Sequence, residues 1–133
     1  MEITQDDLRL LSLFRAAWTG GPALREAEAS LRAEPGRAAG RVAGWSLARA
    51  AEALRRGARR SLRIGGALSP SADEQRLLLA CRALAVGDDE SARETLRWLA
   101  SPADAGQAAD RLVPAACALY GYAAPRRQKA VSA

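Results

Sequence analysis

"TQDDLRLLSLFRAAWTGG", residues 4–21, starts with a hydroxyl, follows it three residues later with an acid, and runs apolar residues at three- and four-residue spacing up to a double glycine. Every part of that stretch has a helical reading. Thr4 is placed to accept from the backbone of Asp7 while Asp7 reaches back to Thr4, a reciprocal helix cap. Leu8, Leu11, Phe14 and Trp18 share one broad apolar face, which reads as core. Gly20, Gly21 and Pro22 then break the helix and start the next one.

The stretch decides the fold because it recurs 67 residues later as "SADEQRLLLACRALAVGD", residues 71–88. Without a gap, Asp6/Asp73, Arg9/Arg76, Leu10/Leu77, Leu11/Leu78, Arg15/Arg82, Ala16/Ala83 and Gly20/Gly87 coincide, and Ala33/Ala100 and Pro35/Pro102 follow. Thr4/Ser71 and Asp7/Glu74 are conservative matches that keep the cap chemistry. The expectation is an all-α fold of two similar three-helix halves, 1–67 and 68–124, packed as one small domain. The first half reads as helices over 5–18, 22–33 and 37–63, the second over 72–86, 89–100 and 104–121. Pro35-Gly36 and Ser101-Pro102 mark the ends of the second helices. "IGGALSPS", 64–71, is the joint between halves, and "PRRQKAVSA", 125–133, reads as a disordered basic tail.

Composition agrees. Half of the 133 residues are hydrophobic but only 5% aromatic, and the abundant alanine, leucine and arginine all favour helix. No run approaches the ~18 apolar residues of a membrane span, and "MEITQDDLR" lacks a signal peptide's order, so the cytoplasm is the expected compartment. Histidine is absent, which removes most zinc constellations and the commonest general base. Cys81 and Cys117 lie among alanine and leucine and read as small buried apolar residues rather than a disulfide. Acids sit at helix starts (Asp6, Asp7, Asp73, Glu74) or on solvent faces, where capping explains them without chemistry. No cofactor and no enzymatic activity are expected.

The segment "LLLACRALAVGDDESARETLRWLASP", 77–102, resembles a tetratricopeptide-type hairpin, with Gly-Asp at the turn and Ala92, Leu96 and Leu99 on the second helix. The resemblance implies a helical-repeat protein with a protein-interaction surface. It departs from the pattern in the early Pro102 and in the 67-residue offset.

Charge is distributed unevenly. The net charge is +5, and residues 35–67 hold eight arginines against Glu52 alone. On a helix over 37–63 those eight (Arg37, Arg41, Arg49, Arg55, Arg56, Arg59, Arg60 and Arg63) fall within roughly 140°, opposite Leu47, Ala51, Leu54, Ala58 and Leu62. Trp45 lies inside the same arc. Like-charged neighbours such as Arg55/Arg59 and Arg56/Arg60 repel, so a counter-charge is expected nearby. It is sought in Asp88, Asp89, Glu90 and Glu94 of the second half, in nucleic-acid phosphates, or in an acidic protein. The glycines also allow a helix-turn-helix, with Gly44 in the turn and Ser46 capping a second helix.

Two further residues complete the candidate surface. Trp45 sits among the arginines and Trp98 lies off the apolar stripe, as anchors of a binding interface do. The reading is a non-enzymatic adaptor, chaperone-like or regulatory module that recognises an acidic protein partner. The alternative is a DNA- or RNA-binding regulator using Arg41, Arg49, Arg55, Arg56, Arg59, Arg60 and Arg63. A homodimer is compatible with both.

Overall fold

The computed structural model describes residues 2–32 and 37–121; Pro35-Gly36, Tyr122 and the tail 125–133 lie outside the described residues, as does the side chain of Arg37. The fold is all-α. Among the described residues it has six helices: α1 (Gln5–Thr19), α2 (Pro22–Arg32), α3 (Arg37–Gly57), α4 (Ala72–Ala85), α5 (Asp89–Leu96) and α6 (Pro102–Tyr120). Both expected caps form. Thr4 accepts from Asp7 N–H and Asp7 from Thr4 N–H, and Ser71 and Glu74 repeat the arrangement at the start of α4. Gly20 and Gly87 end their helices with positive φ, a region that costs other residues strain. Pro102 begins α6 rather than merely closing the preceding helix, because its missing N–H and fixed φ suit a first turn.

α1 packs with α2, α4 with α5, and α3 and α6 form the most extensive helix pair, running antiparallel through the centre. Their buried residues are mostly alanine: Ala43, Ala50, Ala51 and Ala53 on α3, and Ala105, Ala108, Ala109, Ala115 and Ala116 on α6. Small side chains let two helix backbones approach closely. Phe14, Leu10, Leu13, Leu47, Leu54, Leu77, Leu78, Leu84, Leu96, Leu99 and Leu112 fill the space around that pair. Each contributes about 1.5–3 kcal/mol of burial. Leu8, read as core, is instead half-exposed on α1.

Two expectations for the arginine segment are overturned. First, the helix ends at Gly57 and not at 63. Beyond it Ala58 pairs with Ala100, Ser101 N–H donates to the Gly57 carbonyl at 3.0 Å, and Arg59 N–H donates to the Leu99 carbonyl at 3.4 Å. Gly57 permits this, since a Cβ there would collide with the side-chain base of Asp104. Arg59, Arg60 and Arg63 therefore leave the helical stripe. The same pairing ends α5 at Leu96, not at 100, while Leu99 and Ala100 remain buried.

Second, there is no helix-turn-helix, because α3 runs unbroken through Gly44. Ser46 is not a cap. Its hydroxyl is buried against α6, donating to the Arg111 carbonyl and accepting from Ala115 N–H at 3.1 Å. Those are the two groups that a regular helical bond would join, Arg111 three residues before Pro114 and Ala115 one after it.

Candidate interaction surface

Buried carboxylates organise the seam between α1 and α4. Asp7 is fully buried and receives Arg82 Nε at 3.1 Å, Arg82 Nη2, Thr4 N–H at 2.8 Å and the Tyr120 hydroxyl at 2.5 Å. Glu74, also fully buried, receives Arg15 Nε at 2.6 Å, Arg15 Nη2 at 2.8 Å, Gly65 N–H at 3.0 Å and Ser71 N–H at 2.9 Å. The pairing is crossed: Arg15 of α1 holds the capping acid of α4, and Arg82 of α4 holds the capping acid of α1. Burial pushes the Asp7 carboxyl up, but Arg82, Thr4 and Tyr120 outweigh it and hold it at about 2. For Glu74, burial likewise opposes and Arg15, Ser71 and Gly65 win, so it too lies below the ordinary range. These acids cap their helices as expected, and they are buried as well.

The segment after α3 is strapped onto α4. Arg60 forms a two-pronged pair with Asp73, Nη1 at 3.0 Å and Nη2 at 2.5 Å, and Arg63 N–H donates to the same carboxylate at 2.8 Å. Arg60 is the main cause of the lowered Asp73 pKa. Ser71 donates to the Arg63 carbonyl at 2.5 Å. An open cleft of about 760 Å³ beside this strap is lined by Arg60, Ser61, Leu62, Arg63, Ser71 and Asp73. Of its two arginines, Arg60 is met by Asp73.

The arginines of "RRGARRSLR" thus have separate fates. Arg55 stacks on the Trp18 ring at 4.3 Å and donates to the Trp18 carbonyl. Arg56 pairs with Asp104 at 2.9 Å and with Gln107. Arg59 Nε reaches the Ala100 carbonyl at 3.3 Å. Among the described residues Asp104 answers Arg56 and Asp73 answers Arg60; Asp88, one of the acids expected in that role, caps α5 through Ser91. Arg93 pairs with Asp110, binding α5 to α6.

The outer face of α3 is different. Val42 is 44% and Trp45 55% exposed, and Arg41 and Arg49 flank them in the open. Arg49 lies over the Trp45 ring at 5.0 Å, and its carbonyl accepts from Arg111 at 2.9 Å. No ion pair to Arg41 or Arg49 forms among the described residues. Trp98 is 65% exposed beyond α5 with Arg76 over its ring at 4.4 Å. The predicted surface is therefore divided: Arg41, Trp45 and Arg49 stay together on α3, Arg55 and Arg56 bridge to neighbours, Arg59, Arg60 and Arg63 lie on the strap, and Trp98 stands apart. Arg76 and Arg15/Arg82 were not anticipated; the offset-67 matches Arg9/Arg76 and Arg15/Arg82 were the signals that marked them.

Both cysteines are free thiols; Cys81 is fully buried, which pushes its thiol up, and Cys117 is half-buried. No helix among the described residues is long and apolar enough to cross a membrane. Comparison with protein-family models, curated proteins and solved structures returned no significant match.

Proposed function

We propose that this chain is a non-enzymatic binding module, an adaptor or regulator that recognises an acidic protein partner in the cytoplasm. One observation carries the reading: most of the dense arginines are engaged within the molecule, Arg56 and Arg60 by Asp104 and Asp73, Arg55 by Trp18 and Arg59 by the Ala100 carbonyl, while the arginine-stacked Trp45 and Trp98 stay exposed. A nucleic-acid grip draws its affinity from many arginines free to replace phosphate counterions. Arginines already held by carboxylates contribute little to that, whereas exposed tryptophan beside arginine is the composition of protein-binding hot spots. The crossed Arg15–Glu74 and Arg82–Asp7 pairs support treating the halves as related units, in keeping with the repeat and with the tetratricopeptide-like hairpin.

Site-directed photo-crosslinking in cells tests this. A benzophenone amino acid at position 45 or 98 is expected to trap a discrete protein adduct, and one at the half-exposed position 8 is not. An adduct that disappears on nuclease treatment transfers the function to nucleic acid. Absence of any adduct at both tryptophans removes the binding-module reading.

A further inference from the structure

We infer that the outer face of α3, centred on Trp45, is the docking site for an acidic amphipathic helix; this rests on the binding-module reading and names its site and ligand class. Three observations combine. The face is apolar at its centre, with Val42 and Trp45 exposed and only the Arg49 guanidinium stacked on the Trp45 ring among the described residues. It is cationic at its two ends, where Arg41 and Arg49 carry charge that no carboxylate of the described residues answers. It is bounded on both sides, by Gly44 packed under Glu28 of α2 and by Ser46 bonded into α6, which leaves a ridge one helix wide.

The spacing selects the occupant. Arg41 and Arg49 are eight residues apart on a continuous helix, hence about 12 Å along its axis. A second helix laid beside α3 meets them with two carboxylates seven or eight residues apart, and presents a leucine or phenylalanine midway to Val42 and Trp45. Arg49 stacked on Trp45 is held ready, its guanidinium edge available for a two-pronged carboxylate contact. Phosphate is the poorer fit: among the described residues two unanswered guanidinium groups stand there, and an apolar centre separates them. Trp98 lacks this frame, since it lies beyond the end of α5 and not on a continuous helix between two arginines.

The probe is a labelled helical peptide of about 18 residues, carrying acids eight apart with leucine between, titrated with the full chain by fluorescence anisotropy. Two controls have the same composition: a scrambled order, and the patterned order broken by a central proline. Trp45→Ala is expected to lose roughly thirty-fold in affinity and Arg41→Glu/Arg49→Glu at least as much, with unchanged circular dichroism. Trp98→Ala is expected to bind as the parent chain does. The inference is overturned if the patterned peptide does not bind, if either control binds as well, if Trp98→Ala removes binding, or if a random DNA duplex displaces the peptide at equal concentration. Failure here with a protein adduct still trapped from position 98 leaves the binding-module reading standing; failure together with no adduct removes both.

Discussion

Arg82 and Arg49 are the same residue in two opposite situations. Arg82 lies across a seam, its guanidinium closed on a carboxylate with no exposure of its own. Arg49 lies on a ridge, stacked on a ring that is itself open to water. The seam shows arginine used as an internal fastener, where removing the arginine strands a fully buried carboxylate. The ridge shows arginine that the fold does not need. Stability should reside in the first and recognition in the second, and substitutions can separate them.

The largest effect is expected at Glu74. Glu74→Ala removes a buried carboxylate that answers Arg15 and two backbone N–H groups, so unfolding free energy should fall by about 3–5 kcal/mol in urea titration. Arg41→Ala on the ridge should change it by less than about 0.5 kcal/mol. Equal losses at the two positions would dissolve the contrast between seam and ridge.

Acid should act on the seam as well. Asp7, Asp73 and Glu74 all have lowered values in the folded chain, so each contributes stability that is present above the ordinary carboxylate range and lost as pH falls through it. Asp7, held at about 2, sets the lower end of that window. Stability is expected to decline between about pH 4 and 2, and the decline should be shallower in Asp7→Asn, which starts less stable. A parallel decline in that variant would show that other carboxylates dominate.

Glycines sharpen the comparison further. Gly57→Ala would force Asp104 and the first turn of α6 away from α3, for a loss of about 1–3 kcal/mol. Gly44→Ala meets the Glu28 side chain from its carboxylate back to Cγ, an arm that can swing aside, and the helix gains close to 1 kcal/mol of propensity, so thermal unfolding should move little.

How much of this was legible in the residues follows the same division. Local chemistry announced the caps at Thr4 and Ser71, the glycine breaks and the apolar faces, and with them the helices. The end of α3 was not legible: Ala58 and Leu62 continue the helical spacing, and only the tertiary pairing of Ala58 with Ala100 diverts the chain. Asp7 and Glu74 carried two signals, of which capping is local and burial is not. Their arginines are found only when the two halves are placed side by side, and the matched Arg15 and Arg82 were the trace of that in the sequence. Trp45 was legible as an outlier on its own helix, because an apolar ring amid arginines has no local purpose.

A pair between the extremes is Arg56–Asp104, whose arginine is half-exposed although its acid faces the helix pair. A double-mutant cycle should return a coupling of about 0–1 kcal/mol there, against more for Arg82–Asp7.

The smallest expected effect is also the most discriminating. Trp45 and Leu47 are two residues apart on α3, yet one is half open to water and the other is fully buried. Leu47→Ala should cost about 2–5 kcal/mol through the cavity it leaves. Trp45→Ala, despite deleting the larger side chain, should cost less than about 0.5 kcal/mol, because water already covers much of the ring and the remaining contact is the exposed stack with Arg49. Urea titrations of the two variants check this directly. A large loss at Trp45 would make it a structural residue, and its affinity defect could no longer be assigned to a partner. A negligible loss leaves an exposed tryptophan that the fold does not use, on the one face of α3 where arginine charge goes unanswered.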